Sequence, residues 1–146
     1  MADAGLGEPA ERVPPMKIMI VESDWQFTVR AVRYFEFRGH WVVQESPQGL
    51  AGRARSWQPD LVILAAEYAS EETLNSLRAL PNTPAILLSE HMSNFKQAWA
   101  AWQRGGDELL MKPVFRASEL QEAVVTAMEN ATLSRQKSQS HSMAIA

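Results

Sequence analysis

The stretch Pro59-Asp60-Leu61-Val62-Ile63-Leu64-Ala65-Ala66-Glu67 constrains this chain more than any other. Leu61 to Leu64 are wholly apolar, aliphatic or β-branched, and bracketed by Pro59 and Glu67. A run so short and so uniformly apolar predicts a strand buried on both faces, which places it in the middle of a parallel sheet. Open α/β sheets put their chemistry in the loop at the carboxyl end of such a strand. Here the first residue of that loop is Ala65, which can neither donate, accept nor ionise.

The rest of the chain is read around that strand. Its 146 residues, 46% hydrophobic and 21% charged with a net charge of −3, suit one globular domain. No cysteine is present, so disulfides and thiol chemistry are excluded. The apolar runs are too short to span a bilayer, and the mild acidity argues against nucleic-acid binding through charge. A cytoplasmic domain with no membrane and no nucleic-acid partner is the expectation.

Residues 1–15, rich in Ala, Gly, Glu and Pro, read as a disordered tail ending at Pro14-Pro15. Lys17 to Val21 predict the first strand, running into the helix-capping corner Glu22-Ser23-Asp24. Trp25 to Arg38 predict a helix with Phe27, Ala31 and Phe35 on one stripe and Gly39 just past its end. A second strand, Trp41 to Gln44, is followed by Ser46-Pro47 as the start of a helix through Trp57. After Leu61–Leu64, Ser70 caps a third helix to about Leu80, and Ala85 to Leu88 form the fourth strand, ending at Ser89. Phe95, Ala98, Trp99 and Trp102 recur at helical spacing up to Gly105-Gly106. Glu108 to Met111 give a fifth strand before Lys112-Pro113, and Ser118 to about Asn130 a fifth helix, with Ser118 and Gln121 spaced as a capping box. The domain is thus residues 16–130, with residues 131–146 a flexible tail. Strands alternating with helices call for a parallel sheet with helices on both faces.

That ordered set of marks resembles the receiver domain of bacterial two-component response regulators. The resemblance rests on Ile20-Val21-Glu22, Gly39, Pro59 to Leu64, Ser89, Gly105-Gly106-Asp107-Glu108 and Lys112-Pro113. It implies a flavodoxin-like (βα)5 fold with strand order 2-1-3-4-5. It also implies transfer of a phosphoryl group from a histidine kinase to an aspartate after strand three, with Mg²⁺ offsetting charge. Carried over residue by residue, the phosphoacceptor position falls on Ala65. The acidic pair falls on Glu22 and Ser23, so the usual direct metal ligand is a serine. Glu67 takes the carbonyl-donating position, Ser89 and Lys112 are intact, and the aromatic switch falls on Leu109. The resemblance therefore implies a pseudo-receiver, not an enzyme, with a degenerate Mg²⁺ site at Glu22, Ser23 and Glu67, metal binding weak or lost, and no cofactor.

Each site residue has a plainer reading beside the functional one. Without an acceptor, Lys112 is expected in an ion pair with Glu22 or Glu67 rather than on a ligand. Trp99 and Trp102 fit core filling at inward spacing, or anchors for a partner. Arg30, Arg33, Arg53 and Arg55 read as solvated faces, and His40, His91 and His141 lack the spacing of a metal site.

The function expected is signalling by protein–protein contact. The family's common interaction face falls here on Ser93–Arg104, Glu108–Met111 and Ser118–Asn130, with Trp99, Trp102, Leu109 and Met111 its marked residues. The partners implied are other signalling proteins, a histidine kinase or an output protein, or a second copy in a homodimer. Two rival readings are a phosphoacceptor using Glu67 or Ser23, and a flavodoxin-type small-molecule binder. The second lacks a Gly- or Ser/Thr-rich phosphate loop, because Glu22-Ser23-Asp24-Trp25 puts acids where an anion would sit.

Overall fold

The computed structural model of the chain describes residues 13–145. Five strands, β1 (Lys17–Val21), β2 (Trp41–Gln44), β3 (Leu61–Ala65), β4 (Ala85–His91) and β5 (Glu108–Lys112), form one sheet ordered β2-β1-β3-β4-β5. All neighbours pair in parallel. The helices α1 (Trp25–Phe37), α2 (Leu50–Trp57), α3 (Glu71–Arg78) and α4 (Phe95–Arg104) supply the crossovers, and α5 (Ala117–Ile145) follows the last strand.

The alternation of side chains along β3 builds two cores. Leu61 and Ile63 face one side, with Phe27, Ala31 and Phe35 of α1 and Leu120, Val124 and Ala127 of α5. Val62 and Leu64 face the other, with Leu50 and Ala54 of α2, Leu74 and Leu77 of α3 and Ala101 of α4. Each large aliphatic side chain buried there contributes about 1.5–3 kcal/mol. A central strand can be apolar throughout because both its faces are covered, which is what Leu61–Leu64 foretold.

Local chemistry sets the boundaries. Asp24 caps α1, its Oδ1 accepting from the Phe27 N–H at 3.1 Å. Gly39, at φ 90°, closes α1 in a left-handed turn, with the His40 N–H returning to the Phe35 carbonyl at 3.0 Å. Ser70 caps α3 through the Thr73 N–H at 3.2 Å.

Several boundaries differ from the sequence reading. Helix α2 starts at Leu50, because the Ser46 hydroxyl closes a turn by accepting from the Gly49 N–H at 3.0 Å instead of capping a helix. Strand β4 runs on to His91, since Glu90 and His91 pair with Met111 and Lys112 of β5. Helix α5 opens at Ala117, and the residue reaching back is Glu119, not Gln121: its Oε1 accepts from the Arg116 N–H at 3.0 Å.

The largest correction is at the carboxyl end. The reading closed the helix near Asn130 and made 131–146 a tail, whereas α5 continues to Ile145. Nothing in Ala131–Ile145 breaks a helix, as the stretch holds neither Gly nor Pro. Ala131 is buried on the α1 side, and Arg135 donates to the Thr83 carbonyl at 2.6 Å. Of the expected amino-terminal tail, Val13 packs against the first core and residues 1–12 lie outside the described residues.

Candidate functional site

The carboxyl ends of β1, β3, β4 and β5 converge on one cluster. Glu22 follows β1, and its side chain is only 2% exposed. Its Oε2 accepts from the Ser89 hydroxyl at 2.6 Å and from Lys112 Nζ at 2.8 Å. Its Oε1 accepts from the Asp24 N–H at 3.1 Å. Lys112 also lies 3.3 Å from Asp24 Oδ2 and 5.4 Å from the centre of the Phe27 ring. A buried ammonium is thereby held by two carboxylates and an aromatic face.

Asp24 serves two elements at once, capping α1 with one oxygen and holding Lys112 with the other. Burial pushes its carboxyl up, but the Phe27 amide and the Lys112 ammonium outweigh that and hold it below the usual carboxylate range. The sequence reading took Asp24 only as part of a helix cap. The second role was available in principle, since a capping carboxylate has an oxygen to spare.

Ala65 ends β3 with 3% of its surface exposed and pairs in register with Ser89. Ala66 follows, buried, and together they give the floor of the site no functional group. The nearest aspartate in sequence, Asp60, is at the opposite end of β3, where its Oδ2 accepts from the Lys17 N–H at 2.8 Å. Glu67 lies in the 3-10 turn Ala66–Tyr68 with its side chain exposed, and Ser23 is exposed as well. Of the two acids offered for Lys112, the structure uses Glu22 and not Glu67.

No group of three or more His, Cys, Asp or Glu side chains able to hold a metal ion occurs among the described residues. His40 is a core residue, accepting at Nδ1 from the Met16 N–H at 3.0 Å. His91 is exposed beside Ser93, and the side chain of His141 lies outside the described residues. A shallow cleft of about 410 Å³, lined by Trp25, Phe27, Arg30, Pro113 and the two ends of the Asp24–Lys112 pair, opens beside the cluster.

A second polar knot links this end of the sheet to α4. The buried Glu90, next to Ser89, accepts from the Gln97 side chain at 2.7 Å and the His91 N–H at 2.7 Å. The helix it ties down does not bury its aromatic stripe as the spacing suggested. Ala98 and Ala101 face the core, whereas Phe95 and Trp99 are 59% and 50% exposed and stack on each other, ring centres 6.4 Å apart. A ten-residue helix presents one stripe to the sheet, and here the small residues take it. Trp102 and Leu109 pack half-buried against the second core, and Met111 is half-buried in β5.

No family model matches this sequence, and no curated protein matches it. Solved structures do. NtrX from Brucella abortus superposes over 86% of this chain with 19% identity and a TM-score of 0.70, although the chain spans only 29% of NtrX. The receiver domain of NtrX from the same organism covers 77% of this chain and 98% of its own, with 19% identity and a TM-score of 0.64. The signal receiver domain of a modulated diguanylate cyclase from Desulfovibrio desulfuricans covers 82% and 98%, with 18% identity and a TM-score of 0.66. The β2-β1-β3-β4-β5 order, the parallel pairing and these superpositions together give the chain the flavodoxin-like fold of response regulator receiver domains.

Proposed function

We propose that this chain is a receiver-like signalling module that has lost phosphoacceptor chemistry and works by protein–protein contact. The observation that carries this reading is Ala65 in the acceptor position, beside a cluster in which Lys112, Ser89 and Glu22 satisfy one another. Phosphoryl transfer needs an oxygen nucleophile in line and a cation to offset charge on the moving oxygens. Ala65 supplies no nucleophile.

The donors also do not fit Mg²⁺. Octahedral coordination draws on carboxylates free to face the metal. Glu22 Oε2 is already shared by an ammonium and a hydroxyl, and Ser23 replaces the acid that would bind directly. Lys112, compensated by Glu22 and Asp24, fills the role of a positive charge in this pocket. We therefore read the module as non-enzymatic and without a cofactor.

The contact face we assign is α4-β5-α5, because it carries the exposed Phe95–Trp99 stack, with Met92 also exposed at its amino end. Large exposed aromatics next to one another are the usual anchors of protein interfaces. The partner is a signalling protein, a kinase or an output protein. No helix among the described residues is long and apolar enough to cross a membrane.

The test is capture by crosslinking in the native cell, comparing the wild type with Phe95→Ala/Trp99→Ala. Loss of the captured partner, with thermal unfolding unchanged, supports the reading. Capture undiminished by the double substitution moves the interface elsewhere.

A further inference from the structure

We propose that strand β2 is a homotypic docking edge, at which a second copy of this chain adds its own β2 in antiparallel fashion. Among the described residues, strand β2 is the last strand on its side of the sheet and pairs only with β1. The Trp41 N–H donates to the Met16 carbonyl and the Glu45 N–H to the Ile20 carbonyl, both at 2.9 Å. Odd-numbered residues therefore face β1, and the N–H and C=O groups of Val42 and Gln44 point outward. Among the described residues, no hydrogen bond reaches those outward groups.

Sheet edges are usually blunted by lysine, proline, a bulge or an inward charge. Trp41-Val42-Val43-Gln44 has none of these, and its register with β1 is unbroken. Trp41 is 61% exposed, and Phe37, just before the turn into β2, is 91% exposed. An open, uncharged and partly aromatic edge offers main-chain bonds to an extended strand.

The flanking residues select the occupant and its register. The His40 N–H is engaged by the Phe35 carbonyl and the Ser46 N–H by the Glu45 carboxylate, each at 3.0 Å. Only Val42 and Gln44 have both groups to offer. A two-fold axis through Val43 sets Val42 of one copy opposite Gln44 of the other, so that each outward donor meets an outward acceptor. Shifting by two residues in either direction runs into the engaged N–H of His40 or Ser46.

The same register sets Trp41 opposite Glu45 of the second copy. Val43 packs on the α2 side of the sheet, so Trp41 and Glu45 lie on that side too. Glu45 Oε1 holds the α2 residue Arg53 at 3.1 Å. Each Trp41 thus meets a guanidinium already fixed in place, a cation–π contact made twice by symmetry. A strand of this sequence is its own complement.

The experiment uses the full chain, with mass followed by light scattering over a concentration series and amide exchange at both ends of that series. The expected mass climbs from that of one chain towards two, and exchange slows with concentration at Val42 and Gln44 but not at Trp41 and Val43, whose amides already face β1. Gln44→Pro removes an outward N–H without touching the β1 ladder, and Trp41→Glu sets a carboxylate directly opposite Glu45 of the second copy in place of the aromatic ring. Both variants should keep the mass of one chain. If Gln44→Pro fails to fold, Trp41→Glu and the wild-type exchange decide. Three results overturn the proposal: a monomer at every concentration, a dimer undiminished in both variants, or protection of Val42 and Gln44 that does not depend on concentration. The last would mean that another segment of this chain covers the edge.

Discussion

Lys112 and Glu22 stand 90 residues apart in sequence and meet at 2.8 Å, with side chains only 7% and 2% exposed. The contact closes the carboxyl ends of the two strands flanking β3 and β4, and Ser89 bonds to the same oxygen of Glu22. Removing Lys112 leaves the Glu22 charge buried without a counter-ion.

Lys112→Ala should therefore cost about 3 kcal/mol of folding stability, measured by urea unfolding. Glu22→Gln with Lys112→Met should recover most of it, because neither variant residue carries a charge. A double substitution as unstable as the single one would mean that packing, not charge, dominates here.

A second expectation concerns pH. Burial, aided by the Arg38 guanidinium, holds the His40 imidazole below its usual range, and a protonated Nδ1 could no longer accept from the Met16 N–H. The unfolded chain takes up this proton near pH ~6.5, the folded chain only at lower pH. His40's share of stability is thus present above that value and lost as pH falls through the folded pKa. Urea midpoints should drop between pH ~7 and ~5 more in the wild type than in His40→Gln. Equal drops would remove His40 from the account.

Metal binding gives a third expectation. Trp25 directly follows Asp24 and is 68% exposed, so its fluorescence reports on this corner. Titration with Mg²⁺ should give no saturating change below about millimolar concentration, since the carboxylates such sites need are absent or engaged. Saturation below that range would contradict the reading of the donors.

The fold was legible because its determinants are local. The apolar run Leu61–Leu64, the stop at Gly39 and the cap at Ser70 each act within a few residues of themselves. Ala65 was legible too, since its position in the strand order needs no side-chain geometry. What sequence could not supply was which acid meets Lys112. Glu22 and Glu67 were both candidates, and Asp24 was hidden behind its capping role. That choice depends on the paths of β1 and β3 past β5, which only packing fixes. The outward turn of Phe95 and Trp99 was missed for a similar reason, because helical spacing marks a stripe without saying whether it or its alanine neighbours faces the sheet. The continuation of α5 past Asn130 was missed because its apolar pattern fades before the helix does.

Restoring the acceptor gives a fourth expectation. Ala65→Asp puts a carboxylate next to Ser89 in a position only 3% exposed, close to the occupied Glu22. It should be neutral or mildly destabilising, and unlabelled by acetyl phosphate, because Ser23 still supplies no metal ligand. Ala65→Asp with Ser23→Asp should be the smallest combination that labels. Equal labelling of single and double variants would show that the missing metal ligand does not matter.

The most direct test of the central claim is intact-mass spectrometry of the wild-type chain after incubation with acetyl phosphate and Mg²⁺. Loss of acceptor chemistry predicts an unchanged mass at every time point, with a working receiver domain labelled in parallel as the control. A gain equal to one phosphoryl group, mapped to the exposed Glu67 or Ser23, would contradict it and make this chain a phosphoacceptor of a different design.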